Sequence, residues 1–225
     1  MQTQSETTLP VVPHPSRPEA NQCVILKGVS WETYERLLTE HTESSGTHFT
    51  YDRGRLEIMV LSAEHETLKH VLEELVEILA EELNIDVRGF GSTTFRRADL
   101  DRGFEPDACF YIQREAQVRG KREIRLSVDP PPDLVIEIDI FHPSLNKLPL
   151  FATLEIPEVW RYDDERVIIL KLTGEGYEEM EESTALPGVT SEALSQFVKE
   201  NSQMQPTVWR RNVREWARKN LVKAS

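Results

Sequence analysis

At 225 residues and a formal net charge of −13, the chain suffices for one sizeable domain and is too acidic to coat nucleic acid by bulk charge. No apolar run reaches the length of a membrane span, and the polar, proline-bearing start Met1 to Glu19 is unlike a signal peptide. Cys23 and Cys109 are too few for a disulfide framework, so a reducing, cytoplasmic setting is expected, with Cys109 as a small core residue.

Residues 1–22 are expected to form a disordered lead, residues 23–200 a single domain and residues 201–225 a basic C-terminal helix. Ser30 caps a helix predicted over Trp31 to Leu38, with Glu32 in its first turn. His48 to Met59 carries a hairpin signal around Asp52-Arg53-Gly54. Ser62 opens the longest predicted helix, with Leu68, Val71, Leu72, Leu75, Leu79 and Leu83 as its apolar stripe. Strands are predicted around Ile85 to Arg88, Thr93 to Arg97, Pro106 to Ile112 and Leu134 to Ile140. A helix follows, marked by Leu148, Leu150, Phe151 and Leu154. Val159 to Tyr162, Val167 to Leu172 and Tyr177 to Met180 read as further strands, then helices from Thr190 to Glu200 and from Pro206 to about Val222. This order predicts an α/β (α+β) fold with a mixed sheet flanked by helices.

The chemistry concentrates on the strand Asp133 to Ile140. Leu134, Ile136, Ile138 and Ile140 alternate with Asp133, Val135, Glu137 and Asp139, so Glu137 and Asp139 point the same way from an apolar strand. Acids in such a place are costly unless paired or bound to a cation. Asp107, just after Pro106 at the mouth of another apolar strand, makes the same offer. Together the acids predict a carboxylate cluster for a divalent metal, with clustered charges whose repulsion Asp107→Asn would relieve. Asn146 or Ser144 is a credible helix cap, which puts Lys147 in a first turn, where a cation opposes the helix dipole. That misfit marks Lys147 as a candidate for function. Magnesium, which needs few carboxylates, could be held by Asp107, Glu137 and the carbonyl of Ile138, with manganese as a substitute, and Lys147 could orient or deprotonate the attacking water.

The blocks Glu105-Pro106-Asp107, Pro132-Asp133-Leu134-Val135-Ile136-Glu137, Lys147 and Pro157-Glu158-Val159-Trp160-Arg161-Tyr162-Asp163 resemble, in this order, the Uma-type restriction endonuclease family of the PD-(D/E)XK nuclease superfamily. The resemblance covers roughly Ser30 to Phe197. It implies a restriction-endonuclease-like core and a magnesium-dependent nuclease site. Asp107 and Glu137 become its metal ligands and Lys147 its lysine. The superfamily lysine normally stands two residues after the glutamate; here Asp139 holds that position and the cation has moved to Lys147. His65 matches a family position that faces the site, where it could touch substrate or a metal-bound water; a solvated first-turn residue is the blander alternative.

His65, Glu66 and His70 do not make a zinc peptidase motif, because histidines five apart are turned by about 140° on a helix. Glu137 and Asp139 cannot flank a substrate as an acid/base pair, since both rise from one strand. Two basic clusters, Arg114 to Arg125 and Arg210 to Lys223, are candidate nucleic-acid contacts, although solvated surface is the commoner outcome. Val208, Trp209, Val213, Trp216 and Leu221 form a helical stripe that either packs on its own domain or clasps a second copy in a homodimer. The leading expectation is a magnesium-dependent endonuclease acting on nucleic acid, DNA first. The alternative is a nuclease-fold binding or regulatory module with little catalysis, which the acidic net charge favours.

Overall fold

The computed structural model describes residues 22–41, 46–140 and 145–221, so all but the last residue of the lead expected over residues 1–22, and the candidate cap Ser144, lie outside the described residues. The strand β1 (Gln22–Lys27) was not predicted; it places Gln22 and Cys23 in a sheet rather than at a loose end. It pairs antiparallel with β3 (Arg55–Val60), which forms a hairpin with β2 (Thr47–Asp52). Arg53 and Gly54 both have positive φ, 46° and 84°, as a two-residue turn matched to strand twist requires. With β5 (Phe95–Arg97) and β6 (Arg102–Phe104) these strands make an antiparallel sheet in the order β1-β3-β2-β6-β5. The helix α1 (Trp31–Glu40), capped by Ser30 as expected, packs Tyr34 against it, stacked on Tyr51 at 4.9 Å. Gly103 is needed there, because a Cβ would meet the Tyr34 ring at 2.8 Å.

A second sheet carries the site. Its order is β11-β10-β9-β8-β7-β4, from β4 (Arg88–Gly89), β7 (Ala108–Tyr111), β8 (Leu134–Ile138), β9 (Glu158–Tyr162), β10 (Val167–Thr173) and β11 (Gly176–Met180). Only β8 and β9 run parallel, joined across α4 (Leu148–Thr153), so the sheet is mixed as predicted. The expected single sheet is in fact two, because the N-terminal hairpin recruits β5, β6 and β1.

One face of the second sheet, with Ala108, Leu134, Ile136, Ile138, Trp160 and Ile169, packs on α2 (Ala63–Glu82), α5 (Ser191–Asn201) and α6 (Pro206–Asn220). Ser62 caps α2, its hydroxyl accepting from the His65 amide at 3.2 Å. Leu72, Leu75 and Leu79 are fully buried, each contributing roughly 1.5–3 kcal/mol of burial. The other face, with Cys109, Val135 and Val159, packs on Phe151 of α4 and on Phe95 and Phe104. Cys109 is the buried core residue expected, and its thiol pKa is pushed well up by burial.

The short helix α3 (Glu115–Val118) opens the first basic cluster, and acids neutralise most of it. Arg114 meets Asp133 at 3.3 Å, Arg119 meets Glu115 at 2.5 Å and Asp86 at 3.1 Å, and Lys121 pairs with Asp129. The second lies along α6 and is tied to α2 by Arg210 to Glu74, Arg214 to Glu81 at 2.6 Å and Arg218 to Glu82 at 2.7 Å. Trp209 and Val213 are buried within the chain, so the stripe that suggested a dimer clasp packs on its own domain. Among the described residues no helix is long and apolar enough to cross a membrane.

Candidate active site

Three neighbouring strands bring the site together. Ala108 pairs with Ile136 across β7 and β8, so Asp107 stands one step out, beside Glu137. Across the parallel pair, Glu137 is in register with Arg161 of β9. Lys147, immediately before α4, reaches back so that its Nζ donates to Glu137 Oε2 at 2.6 Å. Asp107, Glu137, Ile138, Asp139, Lys147 and Arg161 all line one cavity of about 260 Å³, floored by Phe151 and Val159. Asp107, Glu137 and Lys147 therefore converge. Lys147 itself holds the N-cap position of α4, not the first turn expected for it, and no side chain caps the helix; Asn146 Oδ1 accepts from the Leu148 amide at 3.2 Å without being the cap.

Asp107 is not an uncompensated acid. Its Oδ2 accepts from the Ile138 amide at 2.7 Å and lies 3.2 Å from His65 Nε2, while Oδ1 lies 3.4 Å from His48 Nδ1. The His65 contact is an ion-pair distance, and neither ring nitrogen of His65 has a hydrogen-bond partner. Burial alone would raise the Asp107 pKa, yet His48, His65 and Lys147 outweigh it and hold the carboxyl far below its ordinary range. His65 itself is raised: burial opposes the charge, and Asp107, Glu137 and Glu66 restore it. The repulsion expected to make Asp107→Asn harmless is thus offset by two histidines. His65 is fully buried against Asp107 and does not line the cavity, so it is not the solvated first-turn residue of the blander alternative.

Glu137 is held differently. Burial, reinforced by Asp107 and Glu57, pushes its pKa up to about 7 against the pull of Lys147. Oε2 is engaged by Lys147, and Oε1 is buried with no partner. Lys147 stays protonated, because the surrounding acids Glu137, Asp107 and Glu57 outweigh its burial. Asp139 is raised by burial, with Arg161 and Lys147 pulling the other way.

Glu57 was missed. It is 1% exposed and its Oε2 accepts from the Leu145 amide at 2.6 Å, which ties β3 to the chain entering α4. Its only sequence signal was an acid between Leu56 and Ile58 in a predicted strand. Glu158, within a motif block, turns out to be structural: its carboxylate accepts from Trp160 Nε1 at 2.7 Å, Ser183 Oγ at 2.5 Å and the Thr184 amide at 2.7 Å.

Among the described residues no three His, Cys, Asp or Glu side chains are grouped as a metal cage. The donor set nonetheless fits a hard divalent cation, which takes few protein oxygens and keeps its waters. The orphaned Oε1 of Glu137, a residue that lines the cavity with Asp107, is the oxygen such an ion would satisfy.

A mixed sheet flanked by helices thus presents two carboxylates on adjacent strands with a lysine beside them. The sequence model of the Uma2 family, described as "Putative restriction endonuclease", matches residues 31–204, and the chain belongs to that family. A solved structure described as "a putative nuclease belonging to DUF820", from Anabaena variabilis ATCC 29413, is similar at 18% identity and a TM-score of 0.46, covering 67% of this chain and 90% of that one. No curated protein matches the chain.

Proposed function

We propose that the protein is a magnesium-dependent endonuclease that hydrolyses phosphodiester bonds in nucleic acid, DNA before RNA. The observation that carries this reading is the convergence of Asp107, Glu137 and Lys147 on one cavity with Glu137 Oε1 unpartnered. Asp107, Glu137 and the carbonyl of Ile138 would hold the ion, which would supply charge neutralisation at the phosphate and a more acidic water. Asp107, fixed by the Ile138 amide and two histidines, presents a carboxylate that stays ionised. Lys147 keeps its proton, so its part is to orient the attacking water and offset developing charge, not to act as the base.

The test is cleavage of plasmid, single-stranded DNA and RNA with magnesium or manganese. Lys147→Ala should reduce the rate about a hundredfold or more while metal still raises the melting temperature. Full activity in Lys147→Ala removes the lysine from the mechanism. The pairing of the basic clusters with acids favours a second reading, a binding or regulatory module of the same fold. No cleavage of any substrate alongside measurable binding would establish that reading instead.

A further inference from the structure

Arg161 is unlike the other arginines near the site. It rises from β9 in register with Glu137, lines the same cavity as Asp107, Asp139 and Lys147, and is only half-buried. Its Nε is buried without a hydrogen-bond partner, and among the described residues no ion pair holds its guanidinium. An arginine left unpaired on a strand beside three acids needs an explanation, because a buried N–H without an acceptor is expensive. Asp139 attracts it electrostatically without a direct contact. The planar donor fork of arginine suits an anion with several oxygens, and it matches a phosphate better than a point cation does.

We propose that Arg161 is the phosphate clamp of this cavity, binding non-bridging oxygens of the phosphodiester beside the Asp107–Glu137 carboxylates. The assignment rests on the nuclease reading for its substrate. Its division of labour follows from the geometry. Lys147 is already committed to Glu137 at 2.6 Å, whereas Arg161 is free to meet the substrate.

The experiment uses the full chain, with inorganic phosphate and a fluorescein-labelled DNA oligonucleotide as probes, in wild type, Arg161→Ala and Arg161→Lys. In calcium, used in place of magnesium to slow cleavage, Arg161→Ala should bind the oligonucleotide about ten- to a hundredfold more weakly, with Arg161→Lys between it and wild type. Phosphate should raise the melting temperature of wild type and not that of Arg161→Ala, a difference that a purely structural arginine would not produce. If Arg161→Ala fails to fold, Arg161→Lys carries the test: wild-type oligonucleotide affinity and phosphate shift in it would overturn the clamp. Unchanged affinity and an unchanged phosphate shift in a folded Arg161→Ala overturn it as well. If wild type cleaves nothing but phosphate protection still depends on Arg161, the nuclease reading falls and the clamp stands.

Discussion

Glu137 and Asp107 sit side by side and are poised oppositely. Burial dominates at Glu137, so its pKa lies near 7, and a cation must displace a proton to bind below that value. The rise in melting temperature with magnesium or manganese should therefore be small one pH unit below about 7 and full one unit above it; Glu137→Ala should show none at either. Thermal scans across that range are the check, and a shift independent of pH would remove Glu137 from the ion. At Asp107 the histidines dominate. Its depressed pKa gives stability that is present above 3.8 and lost as the pH falls through the lower folded value. The raised pKa of His65 gives stability that is complete below 6.5 and lost as the pH rises through the higher folded value. Asp107→Asn should thus cost about 3–5 kcal/mol in metal-free buffer between those limits, the penalty for breaking a buried pair. Denaturant titrations at several pH values would measure it, and a neutral substitution would mean that His65 does not hold the Asp107 carboxylate.

At the scale of elements, the acid at the start of β9 holds a loop more than it serves the cavity. Glu158 is 1% exposed and gathers donors from Trp160, Ser183, Thr184 and Ala185, joining β9 to the loop before α5. Removing it strands several buried donors, each costing about 1–3 kcal/mol if left unpaired. Glu158→Ala should destabilise the protein by about 3 kcal/mol or more. Metal binding by whatever remains folded should be unchanged. Calorimetry with and without magnesium separates the two effects; a lost metal shift in a folded Glu158→Ala would place this acid in the site. The same contrast runs within one motif block: Asp133 accepts from the Ile112 and Arg114 amides at 2.7 and 2.9 Å and holds the chain leaving β7, whereas Glu137 is left with an unpartnered oxygen.

Across the whole molecule, charge is arranged to close the fold. The acidic face of α2 and the basic face of α6 meet, which uses up the tail's arginines over a core contact made by Trp209 and Val213. Exposed pairs of this kind are screened by water and contribute little, while a buried tryptophan is worth about 3–5 kcal/mol when truncated to alanine. Trp209→Ala should therefore destabilise strongly. The triple change of Arg210, Arg214 and Arg218 to Gln should lower stability modestly and leave oligonucleotide affinity within about twofold, since neutralised arginines add little to phosphate binding. A large loss of affinity in that triple variant would return the tail to the nucleic-acid surface.

The helices with caps and stripes, such as Ser62 and the leucines of α2, were legible in the amino-acid order, because local hydrogen bonds and helical periodicity set them. That order likewise marked β8, where strict alternation separates Ile136 from Glu137, and it singled out Asp107, Glu137 and Lys147 through a motif order and a cation expected against a helix dipole. The edge strand β1 was illegible, since all six of its residues are exposed and no amphipathic pattern marks them. What partners the charges find depends on the fold. His65 behind Asp107, Glu57 beneath the Leu145 amide and Arg161 in register with Glu137 depend on contacts between residues far apart in the chain. Burial then magnifies those contacts, because a charge removed from water is governed by its few neighbours, and no local pattern names neighbours brought together by the fold.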